Sequence, residues 1–302
     1  MSVATAPLRS ITVRVPAKLN ISLKVGPARA DGFHEVATVY HAVSLYDTVT
    51  VTETPAGSGI SLRTTGAVVP DDATNLAWRA AVAIAAAADL VADVAIDIDK
   101  GIPVAGGMAG GSADAAGTLL ALNELWDLGF SRDRLQEIAA TLGSDIPFCV
   151  AGGTQLGRGK GDELLPVMAR GEYHWVVATA PDGLSTPAVY RQLDVLRPEA
   201  PAPVVSDPVL AALRTADARA LGKVLENDLQ DPALSLKGSL RRTLEAGLDA
   251  GALGGIVSGS GPTCVFLARD EQHAIDVTVA LSAAGVADRV LRAHGPVRPV
   301  RL

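Results

Sequence analysis

Cysteine is nearly absent: Cys149 and Cys264 are the only two in 302 residues. They stand far apart in apolar, strand-like stretches, with none of the Cys/His spacing of a zinc site. They read as buried free thiols of a reducing compartment rather than a disulfide framework. Aromatic residues are few, 4% against 48% hydrophobic in all, so the interior is one of alanine and valine. Positive charge is short as well: 26 Lys and Arg face 33 Asp and Glu, a net charge of −7, with no block of one sign. That excludes nucleic acid or an anionic membrane as main partner and leaves an anionic small substrate, if a few cations are focused in one cleft. No apolar run is long enough for a bilayer; the uncharged stretch Ala80 to Ala88 falls well short. Met1 to Pro7 lacks a basic segment followed by an apolar one, so no signal peptide is expected and the chain reads as cytoplasmic. There are no internal repeats and no low complexity beyond the alanine bias.

What stands out is a glycine stretch, Pro103 to Ala116, with the pairs Gly106-Gly107 and Gly110-Gly111. It lies between a strand-like run, Val94 to Ile98, and a helix-like run, Ala113 to Trp126. Ser112 stands where an N-cap is expected, with Asp114 in the first turn. A glycine loop feeding a helix N-terminus aims several N–H groups at one point, where the helix dipole favours an anion, most naturally a phosphate. The better-known phosphate motifs are missing: Ser112 follows the last glycine where a Walker loop needs Lys, and Gly106-Gly107-Met108 lacks the Gly-x-Gly of the dinucleotide fingerprint. On composition alone, a flexible connection fits as well.

Ile11 to Val15 alternates as a strand, Pro16 interrupts, and Ala17 to Lys24 resumes with Lys18, Asn20, Ser22 and Lys24 on one face. That face is either solvated or the wall of a polar cleft. Ala30 to Glu35 is a turn in which His34 reads as a surface histidine or a ligand contact. Val36 to Val43 and Tyr46 to Thr52 are two further strands, and Ile60 to Thr64 another. Asn75 to Leu90 is a helix, Val94 to Asp99 a strand ending at Lys100, and Arg132 to Thr141 a helix. Gly143 to Phe148 is a turn carrying Asp145, an N-cap or turn aspartate unless a site claims it. Leu156 to Asp162 is a glycine-rich charged loop at a domain boundary. Arg158 and Lys160 there face solvent or phosphate.

His174 to Ala180 opens a second unit, and Thr186 to Tyr190 starts a helix. Pro198 to Pro208 is a loop. Helices are expected over Pro208 to Ala216, Ala218 to Glu226, Leu234 to Ala250 and Asp270 to Ala284. Ile256 to Ala268 is strand, tight turn, strand, and Arg289 to Ala293 a last strand. The order is that of an α+β protein of two domains, 1–162 and 163–302, not a doubly wound parallel sheet.

Three stretches, Pro16-Ala17-Lys18-Leu19-Asn20, the loop Pro103 to Ala113, and Ser258 to Thr263, resemble the three motifs of the GHMP small-molecule kinases. Asp31-Gly32-Phe33-His34, Gly143 to Phe148 and Glu226-Asn227-Asp228-Leu229 are similar to the branch of that family that acts on a cytidine-diphosphate-linked methylerythritol. The likeness spans nearly the whole chain. It implies the GHMP kinase fold: a ribosomal-protein-S5-domain-2-like N-terminal domain and a ferredoxin-like C-terminal domain, with both substrates in the cleft between. It implies ATP-dependent phosphorylation of a 2-hydroxyl in the non-mevalonate route to isoprenoids, with Mg2+ expected, by a monomer or homodimer.

By resemblance, Lys18 and Asp145 are the catalytic pair and Asn20 lies near the reacting hydroxyl. Pro103, Val104, Ala105, Gly106, Gly107, Met108, Ala109, Gly110, Gly111, Ser112 and Ala113 match the triphosphate loop, and Asn75 and Lys100 the adenosine side. Phe33, His34, Thr186 and Tyr190 match the cytidine pocket. Phe33 replaces a tyrosine common in that turn, keeping a stacking face and losing a hydroxyl; Tyr190 stands where phenylalanine is also found. No glutamate suggests itself for magnesium, and Ser112 is the one candidate ligand. The alternatives are another GHMP kinase, of homoserine or mevalonate type, which needs no cytosine pocket; a non-catalytic sensor on the same fold, against which both Lys18 and Asp145 speak; and an oxidoreductase, which the missing fingerprint opposes.

Overall fold

The structure, a computed structural model, describes residues 8–104 and 106–302. The expectations for Met1 to Pro7 and for Ala105 lie outside them. The chain opens with two long strands, β1 (Ser10–Ala28) and β2 (His34–Glu53), paired antiparallel along nearly their whole length. Pro16 does not end β1. The register slips between Pro16 and Ala17, opposite Ser44 and Leu45 of β2. A bulge is where a strand tolerates a proline that cannot donate. The same slip explains why one twenty-residue strand stands where two were expected in β2.

Then come β3 (Ile60–Thr65), α1 (Leu76–Ala87) and β4 (Val94–Asp99). β4 pairs antiparallel with β2 and parallel with β3. Next are α2 (Gly110–Leu125), α3 (Arg132–Ala140), α4 (Ile146–Ala151), β5 (Thr154–Arg158) and β6 (Glu163–Pro166). α4 takes up the second half of what reads as a turn, with Pro147 in its first turn, where proline's missing N–H costs nothing. β5 and β6 form a hairpin in what reads as a loop, with the positive-φ glycines Gly159 and Gly161 in the turn. α1 and α2 cover one face of this first sheet. Ala77, Ala80, Ala81 and Ile84 are buried, as is the side of α2 around Leu119. The helix comes so close at Gly117 that a Cβ there would stand 2.7 Å from Val49 Cγ2. An alanine-rich interior is what such an approach needs.

The second unit holds β7 (Tyr173–Thr179), α5 (Thr186–Leu196), α6 (Asp207–Thr215), α7 (Ala218–Val224), β8 (Glu226–Asn227), α8 (Gln230–Leu236), α9 (Ser239–Asp249), β9 (Gly254–Val257), β10 (Cys264–Ala268), α10 (Glu271–Ala284), β11 (Arg289–Gly295) and β12 (Val300–Arg301). Its sheet runs β11-β7-β10-β9, all antiparallel. The single helix expected over Leu234 to Ala250 is two, broken at Lys237-Gly238.

The two sheets are stitched together. The expected boundary after residue 162 falls in the turn before β6, which pairs with β5 in the first sheet. β12 returns to pair with β1, and β8 lies parallel to β1 at Ser22 and Leu23. β8 also holds the other side. Asn227 Nδ2 donates to Val257 O (2.8 Å) and Gly259 O (2.7 Å), while its Oδ1 accepts from Leu229 N. Cys149 and Cys264 are free and buried in the two cores. Among the described residues no helix is long and apolar enough to cross a membrane.

Candidate active site

Lys18 sits on β1 just past the bulge, 5% exposed. Its ammonium donates to Asn20 Oδ1 (2.9 Å) and lies 3.3 Å from Asp145 Oδ2. Asn20 Nδ2 donates in turn to Thr38 Oγ1 (2.8 Å), which donates to Ser22 O. The amide's two ends are therefore fixed, and its oxygen faces the lysine. Asp145 occupies the N-cap position of α4, yet its side chain makes no capping bond. A carboxylate cap is worth about 1 kcal/mol. Here the group is turned to Lys18 instead and stays 33% exposed, open to a reactant. Lys24, on the same face, pairs with Glu226 and Asp228 of the second unit, a structural contact.

The glycine loop runs directly beside this pair. Lys18 N donates to Met108 O (3.1 Å), so β1 and the loop are joined through the main chain. Ser112 is not the N-cap of α2. The helix starts three residues earlier, and the cap is Ala109, in the left-handed region (φ 60°, ψ 34°), with no side-chain bond. Taking Gly110 and Gly111 into a helix costs about 1 kcal/mol each relative to alanine, and a left-handed alanine about 1–2 kcal/mol more. The result is a helix whose first N–H groups have no side-chain acceptor and face the loop. Strain of this kind collects at ligand sites. Ser112 lies half-exposed in the first turn, and Ala113 is buried beneath it.

Gly107 has φ 72°, and a Cβ there would stand 2.6 Å from Ser258 O. Its smallness serves the contact between the loop and the Ser258–Gly261 turn of the second unit. That turn also covers the Lys18–Asn20 side: a Cβ on Gly259 would lie 3.1 Å from Asn20 Oδ1.

Under the loop lies a buried charge cluster with no signal in the sequence. Lys100 Nζ donates to Asp114 Oδ2 (2.6 Å) and to Asp47 Oδ2. Asp47 Oδ1 accepts from Gly101 N (2.8 Å) and Ile102 N (2.9 Å). One lysine thus ties β2, the entry to the loop and α2, where Asp114 lies one turn further in than the sequence suggests. Burial, only partly offset by Lys100, and the neighbouring Asp47 carboxylate push the Asp114 carboxyl up to about 7. The ammonium of Lys100, matched by resemblance to the adenosine side, is taken up by these two carboxylates.

Two cavities meet at Gly107 and Ala109. One, of about 370 Å3, is lined by the described loop residues Pro103, Val104 and Gly106 to Gly111, with Asn75, Lys100 and Asp114. Asn75 caps α1 through its side-chain oxygen, which accepts from Ala77 N, and its amide donates to Pro70 O. The other, of about 620 Å3, holds Lys18, Asn20, Asp145, Phe33, His34, Thr186 and Tyr190. His34 packs against Tyr190, ring centroids 4.9 Å apart and planes tilted by 38°, across the cleft between the units. Burial raises the Tyr190 hydroxyl well above its ordinary value. Phe33 is 53% exposed with Lys160 Nζ 4.5 Å over its ring. Lys160 lines the same cavity and pairs with Asp31 (3.0 Å), while Arg158 is exposed. The residues matched to three separate roles thus converge on one cleft. Asp47 and Asp194 were not legible as part of it, and Lys160 was legible only as a basic residue facing solvent or phosphate.

Residues 75–153 match the family described as the GHMP kinases N terminal domain, and residues 209–287 the GHMP kinases C terminal. A 4-diphosphocytidyl-2-C-methyl-D-erythritol kinase of Rhodococcus jostii is 52% identical over 97% of this chain and 95% of its own. The chain belongs to the GHMP kinases. A crystal structure of a 4-(cytidine 5'-diphospho)-2C-methyl-D-erythritol kinase superposes on this GHMP kinase with TM-score 0.76 at 32% identity, covering 94% of this chain and 98% of the other. A homoserine kinase from Cytophaga hutchinsonii reaches the same TM-score at 18% identity over the whole of both chains, which speaks for the shared fold alone.

Proposed function

We propose that this chain transfers the γ-phosphoryl group of ATP to the 2-hydroxyl of 4-diphosphocytidyl-2-C-methyl-D-erythritol, giving the 2-phosphate and ADP on the non-mevalonate route to isopentenyl diphosphate. The observation that carries the reading is the Lys18–Asp145 pair at 3.3 Å, placed beside the junction of a glycine-lined cavity and an aromatic one. Residues 1–162 supply the loop and the catalytic pair, and 163–302 the Ser258–Gly261 turn and the α5 wall.

Phosphoryl transfer asks a protein for positioning and charge stabilisation. The uncapped start of α2 and the loop N–H groups receive the β- and γ-phosphates. Asp145 accepts the proton of the 2-hydroxyl as its oxygen bonds to the γ-phosphorus. The bond from that phosphorus to the β–γ bridging oxygen breaks, and ADP leaves with the electron pair. Lys18 holds Asp145 in place and sets positive charge beside the transferring group. Asn20 fixes Lys18. The cytidine diphosphate end, held between Phe33, His34 and Tyr190, orients the hydroxyl.

Mg2+ would neutralise phosphate charge. Among the described residues no group of three His, Cys, Asp or Glu can cage a metal. A cation held mainly by phosphate oxygens, with the half-exposed Ser112 hydroxyl as protein ligand, fits that donor set and the habits of magnesium. A coupled ADP-release assay tests the reading against its rivals. Turnover with the cytidylyl-methylerythritol, and not with mevalonate or homoserine, is expected; comparable turnover with either of those overturns it.

A further inference from the structure

Asp194, on α5, carries no role so far. Its Oδ1 lies 2.7 Å from His34 Nε2, across the cleft between the two units. The two residues line the same cavity, and the His34 ring rests on Tyr190. We infer that Asp194 is a specificity-determining positioning residue: it fixes the tautomer of His34 and so makes the pocket select cytosine over uracil. The inference rests on the reading that this cavity holds the cytidine end of the substrate.

The chemistry follows from donor and acceptor counts. A carboxylate only accepts, so the Nε2 facing it carries the proton. In the neutral ring Nδ1 then has a lone pair and no hydrogen. Among the described residues no protein group takes Nδ1, while the side chain is buried at the cavity wall. A base edge meeting Nδ1 must bring a donor. Cytosine has one in its exocyclic amino group; uracil has a carbonyl oxygen in its place, and two acceptors would face each other. Without the carboxylate the ring is free to move its proton to Nδ1, and that tautomer donates to the uracil oxygen. Stacking on Tyr190 and Phe33 contributes to binding but does not discriminate, since every base has a π-face.

The test is kcat/KM for the cytidine substrate and its uridine analogue, with wild type, Asp194→Ala and Asp194→Asn, together with 15N NMR of the His34 ring. Asp194 is about half exposed, so neither variant threatens the fold. Wild type is expected to favour cytidine by about 10²-fold or more, the scale of polar-site discrimination. Asp194→Ala should cut that ratio at least about tenfold and bring the Nδ1–H tautomer into the spectrum. Asp194→Asn, whose amide oxygen still accepts from Nε2–H, should keep most of the ratio. A wild-type preference that survives Asp194→Ala, with Nε2–H retained, overturns the role of Asp194 and leaves the pocket standing. Equal use of both nucleotides by wild type overturns the inference and the cytidine reading together.

Discussion

Asp145 declines the capping task that its position offers. It stands at the head of α4, where aspartate is a favoured cap, and turns to Lys18 instead. Asp145→Asn keeps the shape and cannot take a proton, so kcat should fall by roughly 10²–10⁴ with little change in either KM; near wild-type turnover by the folded variant rules the role out. Lys100 makes the opposite case, a charged residue whose place the sequence does not disclose. Its ammonium is enclosed by Asp47 and Asp114, which are distant in sequence and come together only when β2, β4 and α2 pack. Lys100→Met leaves two carboxylates buried without a cation, and urea unfolding should show a loss of about 3–5 kcal/mol. Adding Asp114→Asn removes one of those charges and should recover part of it. Full stability in the single variant contradicts the enclosure.

At the scale of elements, the glycine loop holds two kinds of glycine. Gly107, at positive φ, is packed against the main chain of the Ser258–Gly261 turn, and Gly111 meets nothing nearer than Leu76 Cδ1 at 3.6 Å. Gly107→Ala should therefore push that turn away from Asn20 and Lys18 and weaken ATP and the second substrate together, at a cost of about 1–3 kcal/mol. Gly111→Ala is accommodated by the protein, and any rise in KM should be confined to ATP. A Gly107→Ala enzyme impaired for ATP alone contradicts this division. The loop's place between a strand and a helix was legible, because glycine pairs and hydrophobic period are local signals. The start of α2 was not. Ser112 has the right chemistry for a cap, and the chain enters the helix earlier through Ala109 in the left-handed region, a start that no local signal marks. β5 and β6 were hidden for a similar reason: glycine and charge mark the turn of the hairpin, while its strands are too short to show a period. Pro16 misled only about continuity, since the bulge that admits it depends on β2.

For the whole molecule, the seam between the two sheets is the feature with the least sequence signal. β8 and β12 are two residues each, and their pairing with β1 depends on the folded second unit. Near this seam lies His41 on β2, fully buried, packed against Tyr173 and Trp175 of β7, with Nδ1 on Thr154 Oγ1. Burial lowers its pKa from 6.5 to about 4. Above pH 6.5 the ring is neutral folded and unfolded, and its titration does not affect stability. Between about 6.5 and 4 the unfolded chain takes up a proton that the folded chain refuses, so stability falls with falling pH, by a few kcal/mol in all. Urea unfolding of wild type against His41→Gln from pH 7.5 to 4.5 should show the wild type losing more; parallel curves contradict it. The candidate site residues, by contrast, were singled out by resemblance from separated stretches of the chain, and what the fold adds is that they line two adjoining cavities. The most direct test of the cleft's chemistry is 31P NMR of the protein with ATP and 4-diphosphocytidyl-2-C-methyl-D-erythritol. One new phosphate-monoester resonance on the acceptor, growing in step with ADP, is the predicted result. ADP accompanied only by inorganic phosphate, with the acceptor unchanged, would contradict the account.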